Sequence, residues 1–162
     1  MTGDDTDADG FQVATGATPS AATEPAEHRE TEVRDAFASL LHIRRVMNTG
    51  VSEPAAVPAE WEWAQMVRAI SLTLEAADLP PAIRDPQGRP TQTGYCVTPT
   101  EHPQVVRVEW LGPWGSGAIY EEERELQRCA KVLRGLGWVV LEYRGPRGRR
   151  HLEVEAPSAI RR

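Results

Sequence analysis

The carboxy-terminal stretch 105–156 constrains the fold most, because it reads without interruption as strand, turn, helix, strand, turn and strand. Apolar side chains recur at every second position in 139–143 and again in 152–156, which is the period of a half-buried strand. Between these runs, Gly145, Pro146, Arg147 and Gly148 carry the residues that a type I turn prefers. The pattern predicts a β-hairpin.

A helix is predicted before this hairpin, over 117–136. Its acidic residues come early and most of its basic residues come late, which suits the helix dipole, and Gly135 and Gly137 mark its end. Five apolar residues fall on one side of it: Ile119, Leu126, Cys129, Ala130 and Leu133. With short strands near 95–97 and 106–110, the stretch forms a ββαββ unit, an antiparallel-rich sheet covered by one helix.

Two helices are predicted upstream. The first, 29–47, has Val33, Phe37, Leu40, Leu41 and Met47 at helical spacing. The second has an apolar stripe that ends before two prolines and consists of Trp63, Met66, Val67, Ile70, Leu74 and Ala77. The expected α+β organisation is a disordered acidic tail (1–28), a helical hairpin (29–79), a loop (80–93), the ββαββ domain (94–157) and a basic tail (158–162).

Charge is concentrated at the amino terminus. Residues 1–28 contain six acidic residues and no Lys or Arg, so they account for the whole net charge of −6. The remaining residues balance, because 24 − 6 leaves 18 acidic residues against 18 basic ones. The net acidity therefore says little about the partners of the folded part, whereas the polar composition of 1–28 predicts disorder.

The compartment expected from the sequence is the cytoplasm. The amino terminus lacks the basic and apolar regions of a secretory signal, and no apolar run approaches the roughly 18 residues of a membrane span. Cys96 and Cys129 do not form a disulfide framework. We therefore expect a small soluble cytoplasmic protein with no membrane partner.

No catalytic, metal or cofactor motif is evident. The turn 112–117 is glycine-rich and precedes a helix, but its spacing fits neither a Walker A loop nor a dinucleotide fingerprint, and the glutamates that follow would repel a phosphate. Ser116 is the expected helix N-cap. The four histidines have no metal-ligand spacing. We predict no catalytic residues, no metal and no cofactor, although a small enzyme with an unrecognised site stays an alternative.

Basic residues near the hairpin turn are candidates for nucleic-acid binding. An exposed arginine turn can enter a groove as the wing of a winged helix does, although an arginine-rich turn can also simply blunt a sheet edge. Three bases on one face of the preceding helix could extend the positive surface. The candidates are Arg144, Arg147, Arg149, Arg150 and His151 on the hairpin, with Arg124, Arg128 and Lys131 on the helix.

Two tryptophans are candidates for partner contact. Trp61 lies about 200° around the helix from Trp63, so it points away from the apolar stripe, and Trp114 stands in the glycine-rich turn. The alternative for Trp61 is that it folds back over the linker or the sheet unit. The helical pair could also serve as a homodimer surface.

The sequence favours a non-catalytic accessory or regulatory protein that acts through macromolecular contacts. A protein partner or a homodimer is preferred over nucleic acid, because the folded part has no net positive charge for non-specific attachment. A nucleic-acid-binding regulator is the alternative. In general style the ββαββ region resembles accessory proteins encoded on bacterial plasmids and integrated elements, without a motif that defines a family.

Overall fold

The computed structural model of the chain describes residues 11–19 and 25–157. Three helices come first, α1 (Ala26–Met47), α2 (Glu60–Ala64) and α3 (Met66–Ala76). The elements that follow are β1 (Ile83–Arg84), β2 (Pro90–Gln92), β3 (Gly94–Pro99), β4 (Val105–Leu111), α4 (Ala118–Gly135), β5 (Val139–Arg144) and β6 (Arg150–Glu155). Helices followed by a ββαββ unit confirm the predicted α+β fold class.

The main sheet has four antiparallel strands in the order β3-β4-β6-β5. Val106 stands opposite Val154, which stands opposite Val140, so one face of the sheet carries a continuous apolar layer. Helix α4 packs against β4, β5 and β6, and α3 packs against β3 and β4. The predicted covering of one face by the helix is therefore present, and α3 completes it.

One hydrophobic core joins the helices to the sheet. Val33 and Leu40 of α1 belong to the same cluster of buried residues as Ile70 of α3, Leu126 of α4 and Val108 of β4. The buried hydroxyl group of Tyr95 on β3 lies 3.1 Å from the Ser71 carbonyl of α3 and 2.8 Å from the Ala14 carbonyl. The helices therefore cannot detach from the sheet without exposing apolar surface to water.

A fully buried ion pair holds the helices in place. Arg44 of α1 and Glu62 of α2 both have a side-chain exposure of 0%, and the guanidinium donates two hydrogen bonds to the carboxylate, at 2.9 and 2.8 Å. The Arg44 Nη1 atom also donates to the carbonyls of Ala55 and Leu136, at 3.1 and 2.8 Å. Glu62 in turn accepts the backbone N–H of Ala59 at 2.7 Å. Arg44 thereby connects α1, the 54–58 linker, α2 and the turn before β5.

The linker 54–58 lies directly against that turn. Gly137 has φ +88, and a Cβ atom built on it would stand 2.3 Å from the Ala56 carbonyl oxygen. Glycine is therefore required at position 137 for two reasons: the positive φ angle of its backbone and the close approach of the linker.

Several local predictions are corrected by the structure. The second helix is broken at Gln65 into α2 and α3, because Gln65 has non-helical angles of φ −135 and ψ 49. The predicted loop over 80–93 contains the two-stranded ribbon β1–β2, closed by a turn in which Asp85 accepts the backbone N–H groups of Gln87 and Arg89. The Asp85 carboxylate forms an Asx-turn, in which an aspartate side chain accepts the backbone N–H two residues further on.

Two apolar positions expected in the core are exposed. Met47 is 54% exposed, since the buried face of α1 runs through Val33, Leu40 and Arg44. Ile119 is 55% exposed, because Ala118 and Glu122 take the buried face at the start of α4. The N-cap of α4 is Gly117 and not Ser116, whose hydroxyl instead lies 3.4 Å from the Ala118 backbone nitrogen.

The segment 1–28, predicted to be disordered, includes residues that the structure describes in contact with the fold. Phe11 and Val13 pack against the core, and the Thr15 carbonyl accepts the Val97 N–H at 2.8 Å. Phe11 also lies under the Arg29 guanidinium, 4.6 Å from it. The aromatic ring of Phe11 and the branched side chain of Val13 give the segment 11–19 enough apolar surface to dock against the core. Residues 1–10 and 20–24, and the basic tail predicted over 158–162, lie outside the described residues.

We expect Glu62→Gln to lower the free energy of unfolding by about 3–5 kcal/mol, because it leaves the Arg44 guanidinium buried without a countercharge. Urea denaturation followed by tryptophan fluorescence measures the change. The matched control is Glu30→Gln, which removes the carboxylate of an exposed pair with Arg34 at 3.9 Å and should cost less than about 0.5 kcal/mol. A loss under about 1 kcal/mol at Glu62 would show that the buried pair is not a main constraint.

Candidate functional site

The β5–β6 turn is tied to the start of α4 by one buried carboxylate. Glu122 accepts the Arg149 Nε–H at 2.7 Å and, with its other oxygen, the backbone N–H of Arg150. Arg149 also donates to the carbonyl of Trp110 at the end of β4, at 3.3 Å. The residues 144–150, here called the hairpin tip, therefore have a fixed position against β4 and α4.

Most of the predicted nucleic-acid-binding residues are engaged with carboxylates. The Arg150 Nη1 atom lies 3.1 Å from Glu142 and 3.3 Å from Glu123, and Arg149 is held by Glu122. The other engaged residues are Arg124 and Arg128, both paired with Glu125, and His151, which lies 3.7 Å from Glu153 and stacks on Tyr143. The charges of these four arginines are largely offset within the protein.

Three of the eight candidates are exposed and belong to none of the ion pairs found among residues 11–19 and 25–157, namely Arg144, Arg147 and Lys131. Arg147 has left-handed angles, φ 62 and ψ 19, so the expected type I turn is not formed. Arg144 and Arg147 belong to the hairpin tip, whereas Lys131 lies more than two helical turns beyond Glu122. The structure thus separates Lys131 from the other two.

The two candidate tryptophans have opposite environments. Trp61 is half-buried and packs against the core, and its indole nitrogen is buried. Trp114 is completely exposed in the turn 112–117. In the first turn of α4, Tyr120 is 90% exposed and Ile119 is exposed as well. Trp114, Ile119 and Tyr120 are here called the apolar patch.

The apolar patch and the hairpin tip lie at the same end of the molecule. The turn that carries Trp114 runs from Trp110 of β4 to α4, and both of these flanking elements hold Arg149, through the Trp110 carbonyl and through Glu122. Carboxylates at this end pair with several of its arginines: Glu122 with Arg149, Glu123 and Glu142 with Arg150, and Glu125 with both Arg124 and Arg128.

The sequence carries one signal for this arrangement, in the position of its charged residues. Glu122 stands four residues after Ala118 and four before Leu126, so it falls on the buried stripe of α4, where a carboxylate requires a partner. Arg44 gives the same signal four residues after Leu40. Charged residues at core spacing mark the buried Arg44–Glu62 pair and the buried carboxylate of Glu122.

The described residues offer little for catalysis. Burial raises the pKa of the Cys129 thiol to about 12, and burial also raises the pKa of the Cys96 thiol, to which Arg84 donates at 3.8 Å. Both thiols are therefore protonated at neutral pH and are poor nucleophiles. No group of three His, Cys, Asp or Glu side chains in the described part could hold a metal ion. Within the same part, no helix combines the length and the apolar character that a membrane crossing requires.

A groove of about 480 Å³ lies between α1 and α3. Its walls include Val33, Phe37 and Leu79, and its charged residues include Arg29 and Glu75. The Arg29 guanidinium donates to Glu75 at 3.0 and 2.7 Å and to the Gln12 carbonyl at 2.8 Å. This groove contains titratable groups, but Arg29 and Glu75 bind each other, and Arg29 also holds residues 11–19 through the Gln12 carbonyl.

No protein-family model matches this chain, and neither a curated protein nor a solved structure shows significant similarity to it.

We expect neither thiol of the folded protein to react with Ellman's reagent at pH 8 at a rate comparable to that of the urea-unfolded chain, because burial keeps both protonated and inaccessible. The rate for the folded protein should also stay flat between pH 7 and pH 9, where the unfolded thiols begin to ionise. Rapid labelling of one thiol in the folded protein would indicate a reactive cysteine and reopen an enzymatic role.

Proposed function

We propose that this chain is a small non-catalytic accessory or regulatory protein that acts through protein contacts, made with another protein or with a second copy of itself. The observation that supports this is the complete exposure of Trp114 beside the exposed Tyr120 and Ile119. Tryptophan and tyrosine are the residues that most often dominate the energy of protein interfaces.

The exposure of Trp114 contrasts with the environments of the other tryptophans in the chain. Trp110 and Trp138 are buried, and Trp61 and Trp63 pack against the core. Trp114 alone among the five tryptophans is fully exposed, and it stands on a short turn fixed at both ends by β4 and α4. A rigid, solvated aromatic side chain loses little conformational entropy when a partner covers it.

The local charges favour a protein over a nucleic acid. The glutamates beside the hairpin tip neutralise Arg149 and Arg150, and Glu121 and Glu123 follow the apolar patch directly. Non-specific binding to nucleic acid depends on uncompensated positive charge that releases counterions. A polar, solvent-accessible rim around a more apolar centre is the usual composition of a protein interface.

The contact is tested by site-specific cross-linking. We expect a photoreactive phenylalanine analogue at Trp114 or at Tyr120 of the full chain, produced in its native cell, to form an adduct with one and the same protein. The same analogue at Arg34, which is exposed on α1, should not form that adduct. No adduct at either patch position, or the same adducts at all three positions, would refute the apolar patch as the contact site.

Stability measurements separate contact from packing. Trp114→Ala should change the free energy of unfolding by less than about 0.5 kcal/mol, as expected for an exposed side chain. Trp61→Ala is the matched control and should cost about 2 kcal/mol or more, since it removes an indole packed against the core.

Nucleic-acid binding is the second candidate, because Arg144 and Arg147 are exposed near Trp114, and arginine with an aromatic side chain can hold a single strand. We expect the full chain to bind labelled single strands and duplexes no more tightly than about 10⁻⁴ M at physiological salt. Tighter binding that weakens steeply with salt, with a slope reduced by about 1 for each of Arg144→Ala and Arg147→Ala, would instead establish this function. Arg34→Ala is the control that should leave the slope unchanged.

A further inference from the structure

The two edges of the main sheet differ. On the β3 side, Pro80 and Ala82 bond to the backbone of Tyr95 at 2.9 and 2.8 Å, and Thr15 accepts the Val97 N–H, so that edge is covered. On the β5 side, the part of the chain that the structure describes contributes no strand. β5 is therefore an open edge, with Leu141 and Tyr143 exposed on the sheet face opposite α4.

The backbone groups that face outward from β5 can be assigned. Gly145 donates its N–H to the Arg149 carbonyl of the neighbouring strand, so the odd-numbered residues of β5 bond to β6. The carbonyl of Val140 accepts a bond from the Arg134 side chain at 2.9 Å, which agrees with an outward orientation for the even-numbered residues. Glu142 and Arg144 therefore present their N–H and C=O groups to the open side.

We propose that a second copy of this chain pairs with β5 about a two-fold axis, in the antiparallel register that places Glu142 of each copy opposite Arg144 of the other. Each such pair exchanges both backbone hydrogen bonds, and the side chains form a cross-strand ion pair. A two-fold axis makes the contact reciprocal, so one Glu and one Arg two residues apart are sufficient for a self-complementary edge.

Charge and hydrogen bonding favour this register over its neighbours. A shift in one direction places Glu142 opposite Glu142, which brings like charges together. A shift in the other direction places Arg144 opposite Arg144, which again brings like charges together, and places Glu142 opposite Pro146, which has no N–H to donate. In the proposed register Val140 stands opposite Pro146, which has no N–H to donate, so the Arg134 bond is kept.

The side chains fit the same register. Arg144 stands opposite Arg150 within its own hairpin, where Glu142 and Glu123 neutralise only Arg150, so a carboxylate from the second copy would provide its missing countercharge. On the other sheet face, Tyr143 meets its own symmetry mate, and Leu141 meets Gly145, which has room for it. Pairing would therefore cover the exposed apolar side chains of β5.

This inference rests on the proposed function in that both require protein contact, but it uses a different surface from the apolar patch. Sedimentation velocity of the full chain across a concentration series should show a reversible dimer. Glu142→Arg alone and Arg144→Glu alone should each weaken the dimer about tenfold or more, because each places like charges opposite one another twice. An equimolar mixture of the two variants should dimerise again. In that mixture one copy carries arginine at both positions and the other carries glutamate at both, so opposite charges meet at each of the two contacts.

The outcomes separate the possible interfaces. A chain that is monomeric at every concentration overturns the proposal, and so does a dimer that Glu142→Arg leaves intact, which would indicate the exposed apolar end of α1 or the apolar patch instead. Recovery of the dimer in the mixture cannot result from misfolding of the variants, and their thermal midpoints provide a check. Trp114→Ala should keep the β5 dimer, so loss of cross-linking at the apolar patch and loss of the dimer are distinguishable.

Discussion

The buried contact between Arg44 and Glu62 organises the connection between the helices and the sheet. Taking two charges out of water costs several kcal/mol for each ion, and this cost is offset only when both are fully hydrogen-bonded. Arg44 meets that requirement through Glu62, Ala55 and Leu136, which belong to separate parts of the chain. Any arrangement that moves α1, the linker or the turn before β5 would leave a buried charge unsatisfied. The pair therefore specifies one packing of the helices, whereas the apolar core alone would tolerate several.

A second buried carboxylate has a comparable role at the other end of the sheet unit. Glu122 fixes the hairpin tip by binding Arg149 and the backbone of Arg150, and it thereby removes much of the positive charge that the sequence concentrates there. Trp114, Ile119 and Tyr120 stay exposed at this end, together with Arg144 and Arg147. The same interaction that stabilises the turn thus leaves less uncompensated positive charge for binding nucleic acid.

The asymmetry between the sheet edges follows from how the chain is laid out. Residues 11–19 and the segment after α3 both run along β3, where Tyr95 bonds to Pro80 and Ala82 and lies near the Ala14 carbonyl. β5 forms the other edge, and natural sheets guard such edges with charged residues. The charges of Glu142 and Arg144, together with the hydrogen bond from Arg134 to the Val140 carbonyl, disfavour pairing of β5 with an unrelated strand. The same arrangement of charges is complementary to an identical antiparallel strand. Protection and specific self-pairing can therefore arise from the same residues.

The sequence by itself determined the elements whose signal is local. The period of two locates β5, although its buried residue is Val140 and the alternating Leu141 and Tyr143 are exposed. The apolar stripe and terminal glycines locate α4, and the order of these elements defines the α+β class. Only the tertiary structure decided which charges are available, because Arg149 and Glu122 are 27 residues apart and Arg44 and Leu136 are 92 apart. It also decided that Trp61 packs and Trp114 does not, and that Met47 is exposed while Arg44 is buried. The physical reason is that periodicity shows which side of a helix or strand is apolar, and this depends only on neighbouring residues. Whether a charge is neutralised depends on the particular partner that the fold places beside it.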